Sequence, residues 1–349
     1  NAHFALNEAF LDSAQIRGNV VTRAKLLGYI PRSTLSPRAT INLVVDISSE
    51  IGTIPTNLEL ARGTKLNTIV GGEEFQFVVL ETQQATLVGT EYTFANVSVV
   101  EGSIKTLKYR VDNDVENQKF QLTHNDADTS TLRVRVQENE NSTSYDIYTK
   151  FETLKNVDST SKVYYLQENN SGFYEAYFGD GVTGKKPVNN NVITIDYVVT
   201  SGKDSNGANT FSMVDNVGGF ASITLTTVTA AAGGAEQETT ESIRFNAPLT
   251  FTTQNRAVTS GDYASIIKQD FSNIDSISTW GGEDQDPPDY GRIYIAIKPL
   301  LSETLTTDEK TQITGTILKG KNVVSITPIL VDPNFTYLEL DVYFKYNPN

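Results

Sequence analysis

The stretch "FGDGVTGKKP", residues 178–187, separates Gly179 from Gly184 by four residues and follows with Lys185. That is the spacing of a phosphate-cradling loop up to its last position. Such a loop leaves a strand, wraps the phosphates in backbone N–H groups and runs into a helix, with Ser or Thr after the Lys to hold magnesium. Here Lys186 takes the hydroxyl position, Pro187 follows, and "VNNNVITIDYVV" reads as a turn and another strand. The nucleotide reading fails on context. Phe178, Gly179, Asp180, Gly181, Gly184 and Pro187 are instead expected to form a sharp turn between two antiparallel strands, with Asp180 bonding local backbone.

Other oxygen-rich stretches are weaker. In "DNDVEN", Asp112, Asp114 and Glu116 alternate as calcium ligands do, but a bend-permitting Gly and a closing bidentate Glu are missing. "HNDADTS" at 124–130 reads the same way, as an Asp- and Asn-rich turn. "GGEDQDPPDYG" at 281–291 gathers Glu283, Asp284, Asp286 and Asp289. Paired carboxylates could hydrolyse a glycosidic bond if their separation in space were right; a mobile acidic loop at an interface is the better reading. His3 and His124 are the only two histidines, which nearly empties the supply of general bases and metal ligands. No catalytic residue, cofactor or metal site is expected.

The composition points the same way. The 349 residues hold no Cys, so there is no disulfide framework, thiolate nucleophile or Cys-based zinc site. A chain independent of its redox compartment fits intracellular production. The net charge of −14 argues against a broad nucleic-acid or anionic-membrane surface, because phosphate binding runs on clustered Lys and Arg. No stretch is apolar for long enough to span a bilayer or to act as a signal peptide. Both ends, "NAHFALNEAF" and "FKYNPN", look like cuts in a longer chain.

The elements that must position these residues read as mostly β, an α+β chain of several domains. In segment 1–38 a helix is expected over 12–28, with Asp12 as its cap, Gln15 three positions on and Gly28 as its stop. Arg17, Arg23, Lys25, Arg32 and Arg38 stand there against Glu8 and Asp12. This basic segment on an acidic chain is a candidate partner contact; a merely solvated helix face fits as well. Residues 39–230 form a β-rich region, open to division into two subdomains with a break near 105. Ile41, Leu43, Val45 and Ile47 alternate with more polar neighbours, and so do Phe75, Phe77 and Val79; Leu132, Val134 and Val136; and Ile193, Ile195, Tyr197 and Val199. Residues 231–273 are expected as a linker, loosest near 230–238, with short helices, one closed by Pro248 and one headed by a Thr259/Asp262 capping box. Residues 274–349 read as a small α+β domain truncated at its C-terminal end. It has strands at 293–297 and 338–344 and a second capping box at Thr306 and Glu309. Trp280 caps its core.

Six stretches then carry a resemblance, in this order: "NEAFLDSAQIRGNVVTRAKLLGYIPRS", "LELARGTKL", "DTSTLRVRV", "VYYLQENNSGFYEAYFGDGVTGKKP", "SNGANTF" and "NAPLTFTTQNRAVTSGDYASII". Together they resemble the baseplate J-like family of contractile-tail phages over essentially the whole chain. One departure is that Asn189, Asn190 and Asn191 stand where the family has a Gly after "GKKP"; Asn tolerates left-handed backbone, so the turn should survive.

The resemblance implies a structural role in a virion tail baseplate assembled in the host cytoplasm. Members form homodimers that join wedge-shaped sectors into a ring around the tail hub. They bind neighbouring wedge proteins, and the ring rearranges when the sheath contracts. The resemblance brings no catalytic residues, no nucleic acid and no membrane insertion. Abundant Tyr and Asn with sandwich-like alternation keep a carbohydrate-binding or adhesin-like β protein open as the alternative.

Overall fold

The computed structural model of the chain describes residues 2–50, 53–151, 157–253, 256–271, 273–300, 303–323 and 325–335. Helices α1 (Ala2–Asn7) and α2 (Arg17–Leu26) open it. Strands β1 (Arg38–Asp46), β2 (Asn57–Leu60), β3 (Lys65–Val70), β4 (Glu73–Val79), β5 (Gln83–Thr86) and β6 (Glu91–Glu101) follow. Next come β7 (Ser103–Arg110), β8 (Phe120–Gln121), β9 (Ala127–Gln137), β10 (Tyr145–Lys150), β11 (Val163–Glu168), β12 (Tyr174–Phe178) and β13 (Val192–Val199). The chain continues through β14 (Ser212–Met213), β15 (Ile223–Ala232), α3 (Thr240–Thr253), α4 (Ser260–Asp270), β16 (Ser276–Gly281), β17 (Arg292–Lys298), α5 (Thr307–Gln312) and β18 (Thr327–Val331).

Two large sheets are nested. The first has six strands in the order β14-β3-β4-β6-β1-β15; the second has seven, β7-β13-β9-β10-β11-β12-β8. The chain leaves the first sheet after Glu101, builds the whole second sheet, and returns so that β15 pairs with β1, Thr40 opposite Thr229. Alternation fixes the register. Ala39, Ile41, Leu43 and Val45 are at most 2 % exposed, and each large side chain among them gains roughly 1.5–3 kcal/mol by burial. A one-residue slip would turn all four to the other face. Val78, Val100 and Val198 form a small cluster between the two sheets. Beside it, buried Glu101 accepts from Thr200 Oγ1 and from the Ser201 N–H at 3.0 Å, pinning the return.

The pairing is not purely antiparallel, since β10 runs parallel to β11. In the C-terminal unit β17 pairs antiparallel with β16 and parallel with β18, and Tyr263, Ile266 and Ile267 of α4 pack on this sheet with Ile293, Ile295 and Ile297. Both expected capping boxes are present, at Thr259/Asp262 and Thr306/Glu309. Trp280 stacks on Tyr294 at 5.9 Å, on a half-buried face of that sheet. The strand expected at 338–344 lies outside the described residues.

Three expectations change. The second helix starts at Arg17, and Ile16 caps it without a side-chain bond. Glu8 does what Asp12 was expected to do: its carboxylate accepts from the Gln15 N–H at 2.9 Å and from Asn19 Nδ2 at 2.7 Å. Pro248 lies inside α3 and does not close it. Finally, 230–238 is no loose tether. β15 runs to Ala232, Ala235 bridges to Leu35, and Glu238 is 4 % exposed.

Candidate assembly site

Helix α2 lies on the end of the second sheet and spends much of its charge there. Arg17 grips Glu168, at the end of β11, through Nε at 2.7 Å and Nη2 at 2.9 Å, and its Nη1 donates to the Glu238 carbonyl. The Glu168 side chain is fully buried, so this fork is its charge balance. Lys25 Nζ donates to Gln167 at 3.0 Å. The helix comes this close because residue 18 is Gly; a Cβ there would stand 2.6 Å from the Asn170 carbonyl oxygen. Glu238 is the second anchor. It accepts from Tyr29 Oη at 2.8 Å, the Arg32 N–H at 3.0 Å and Ser242 Oγ at 2.6 Å. Burial first, and the neighbouring Glu238 charge second, push the Tyr29 phenol far above its ordinary value.

The five candidate contact residues therefore divide. Arg17 and Lys25 bond within the chain. Arg23, Arg32 and Arg38 pair with no carboxylate among the described residues, although Arg38 donates to Ser130 Oγ at 2.9 Å. Sequence reasoning missed Glu168 and Glu238, because their partners lie 151 and more than 200 residues away.

The helices also expose apolar surface. Val20, Val21 and Ala24 of α2 pack against Ile243 and Ala247 of α3, a small core. Around it Phe4, Leu6, Phe10, Leu26, Phe245 and Phe251 are each more than half exposed. Phe245 and Leu249 stand four residues apart on α3 and share a face. Single exposed apolar residues need no explanation; their number on α1, α2, α3 and the segment between α1 and α2 makes these helices a candidate contact region. The signal was legible in "RFNAPLTF", where apolar residues outnumber the positions one buried helix face can take.

The "FGDGVTGKKP" turn is a structural plug. Asp180 Oδ1 accepts from the Val182 and Thr183 N–H groups at 2.9 Å each, which hold its carboxyl below the usual range. Gly179 and Gly184 touch, and a Cβ on Gly179 would stand 2.5 Å from the Gly184 carbonyl oxygen. Phe178 packs edge-on against Phe120 and Tyr148, and Pro187 is buried. Lys185 is neutralised by Asp146 at 3.0 Å, which Lys162 shares at 2.8 Å. The turn does not join neighbouring strands, as had been expected: β12 and β13 are separated by β11, β10 and β9, so it is a crossover. Asn190, with φ 68°, supplies the left-handed residue expected after it.

The remaining oxygen-rich stretches carry no built site. Asp112 bonds the Asp114 N–H in its own turn. Among the described residues no group of three or more His, Asp or Glu converges as metal ligands do. In the acidic loop Asp289 is engaged by Arg292 at 2.9 Å and by Tyr294 Oη at 2.7 Å, while Glu283, Asp284 and Asp286 face solvent. His124 Nδ1 contacts Tyr197 Oη at 2.7 Å beside the second core. Among the described residues no helix is long and apolar enough to cross a membrane.

Residues 109–209 match a family model described as bacteriophage baseplate wedge protein gp6, third domain, and residues 259–331 match baseplate structural protein gp6, C-terminal domain I. The chain is 27 % identical over 373 residues to baseplate wedge protein gp6 of Enterobacteria phage T4, covering 99 % of this chain and 54 % of that protein. It thus spans about half the length of this curated relative. Among solved structures it is similar to a chain of the anti-feeding prophage baseplate determined by cryo-EM, at 12 % identity and a TM-score of 0.31, covering 95 % of this chain and 64 % of that one.

Proposed function

We propose, from the premise that residues 109–209 and 259–331 belong to the baseplate wedge protein gp6 family, that this chain is a structural wedge subunit of a contractile-tail baseplate. It works in the virion by protein–protein contact and performs no catalysis. Two copies dimerise, and the dimers join wedges into a ring around the tail hub, in contact with other wedge proteins. The observation that carries this reading is the apolar surface of the helical unit, where Phe4, Phe10, Phe245 and Phe251 stand exposed. A specific interface hides about 800 Å² per partner around a few large apolar anchors, and this surface supplies the anchors.

The test is light scattering across a wide concentration range, on the chain and on a Phe245→Asp, Phe251→Asp variant. At physiological salt, where charge contacts at open surfaces are screened, the chain is expected to dimerise reversibly and the folded variant to lose this dimer. A chain monomeric at every concentration, or a variant dimerising as the parent does, sinks the proposed surface.

One observation favours the alternative of a glycan-binding β protein. Phe151, Tyr165 and Tyr177 stack side by side, half-buried, at 4.7 and 5.2 Å between ring centres. Sugar rings stack on such ladders. A glycan screen without hits disposes of this reading.

A further inference from the structure

A cleft of about 1280 Å³ opens where the segment 28–40, the second sheet, α3, α4 and the start of α5 converge. It exceeds the roughly 300–1,000 Å³ of small-molecule sites and suits a length of polypeptide. Its walls are charged against the trend of the molecule. Arg32, Arg38, Lys150 and Lys268 all line it, and among the described residues none has a carboxylate within ion-pair distance. Arg133 lines it too, held only loosely by Glu81 at 3.9 Å.

The carboxylates on the same walls are already engaged. Asp128 accepts from the Ser36 N–H at 3.0 Å and the Ser130 N–H at 2.9 Å. Glu238 holds Tyr29, Arg32 and Ser242, and Glu309 caps α5 while accepting from Asn273 at 2.7 Å. The lining residues Ser36 and Tyr148, each 2 % exposed, have hydroxyls without a partner among the described residues; so does the Arg32 Nε. Buried polar atoms are nearly always paired. Three unpaired ones in one basic cleft point to a polar, anionic occupant.

The same chain displays the complement. The loop between β16 and β17 presents Glu283, Asp284 and Asp286 to solvent, free of partners among the described residues, with Tyr290 78 % exposed beside them. We propose that the cleft receives this acidic loop from a second copy of the chain, its carboxylates meeting Arg38, Lys150 and Lys268. Because loop and cleft are different surfaces, the contact either occurs twice in a symmetric pair or runs head to tail from copy to copy. It goes beyond the helical-face dimer and does not depend on it.

The test mixes isotopically labelled and unlabelled protein at low salt and treats it with a carbodiimide, which joins a carboxylate to an amine only in direct contact. Mass spectrometry is expected to find Glu283, Asp284 or Asp286 of one copy joined to Lys150 or Lys268 of the other. Arg38→Glu leaves both lysines and the loop intact and is expected to cut that yield about tenfold or more, since a like charge in contact opposes docking. A second pair of variants guards against misfolding: Lys268→Glu alone and Asp286→Lys alone each lose contact between their own copies, and mixing the two restores it, because the loop of the first and the cleft of the second are intact. Absence of labelled-to-unlabelled links between loop and cleft overturns the proposal, and so does failure of the swapped pair to associate. Neither result touches the helical-face dimer, which light scattering of the Arg38→Glu chain reads on its own.

Discussion

Glu168 has no exposed side-chain surface, and Arg17 supplies its two short charged bonds. Breaking a buried pair costs more than the pair itself contributes, because the remaining charge keeps its desolvation penalty. Arg17→Ala is therefore expected to lower the unfolding free energy by about 3 kcal/mol, read from urea denaturation; a loss within experimental error would show that water reaches Glu168. Glu101 behaves oppositely. Burial first, against the opposing bonds from Thr200 and Ser201, holds its carboxyl above the ordinary value. A carboxyl whose folded value is raised binds its proton more tightly when folded, so its ionised form counts against the fold. That cost is absent below the ordinary carboxylate range, grows as pH rises to the raised value and then stays constant. Glu101→Gln, which keeps an acceptor for Thr200, is expected to be more stable than the parent at pH 7 and no more stable at pH 3. Unfolding midpoints at the two values decide it, and an equal gain at both would refute the burial argument.

At the scale of elements, Gly18 lets α2 lie on the turn after β11. Gly18→Ala would force a Cβ to within 2.6 Å of the Asn170 carbonyl oxygen, and overpacking of this kind costs about 1–3 kcal/mol. The loss should appear as faster amide exchange in α2 and at Asn170, with the first sheet unchanged; uniform loosening would mean the helix is not separately docked. What the sequence made legible here follows from how local each signal is. Period-two faces such as Ile41–Leu43–Val45 and the two capping boxes are written within a few residues, and all are present. The nesting of one sheet inside the other was not legible, because Thr40 meets Thr229 across 189 residues and no short pattern encodes that pairing. The start of α2 was misread for a milder form of the same reason: the carboxylate that ties it down sits on Glu8, outside the window in which a cap is sought. At the candidate site, the cations could be named from the sequence. Whether each turned inward depended on Glu168 and Glu238, far along the chain.

The whole molecule carries −14 charges, and this separates its two proposed contacts by their response to salt. Two copies approaching through the helical face bring apolar side chains together while their net charges repel. The Debye length is about 30 Å at 0.01 M salt and about 8 Å at 0.15 M, so screening removes repulsion between whole molecules while leaving apolar burial intact. Dimerisation through Phe245 and Phe251 should therefore strengthen as salt rises over this range. The loop-to-cleft contact joins opposite charges at an open surface, where the same screening removes attraction, so it should weaken. Light scattering of the Arg38→Glu chain, which lacks the loop-to-cleft contact, and crosslink yield of the parent, followed through one salt series, are expected to move in opposite directions. If both fell with salt, the helical-face contact would be electrostatic and its apolar residues incidental. If both rose, the cleft would not be holding the loop by charge. With the two contacts moving in opposite directions, a ring built from both assembles best at intermediate ionic strength, where neither is lost.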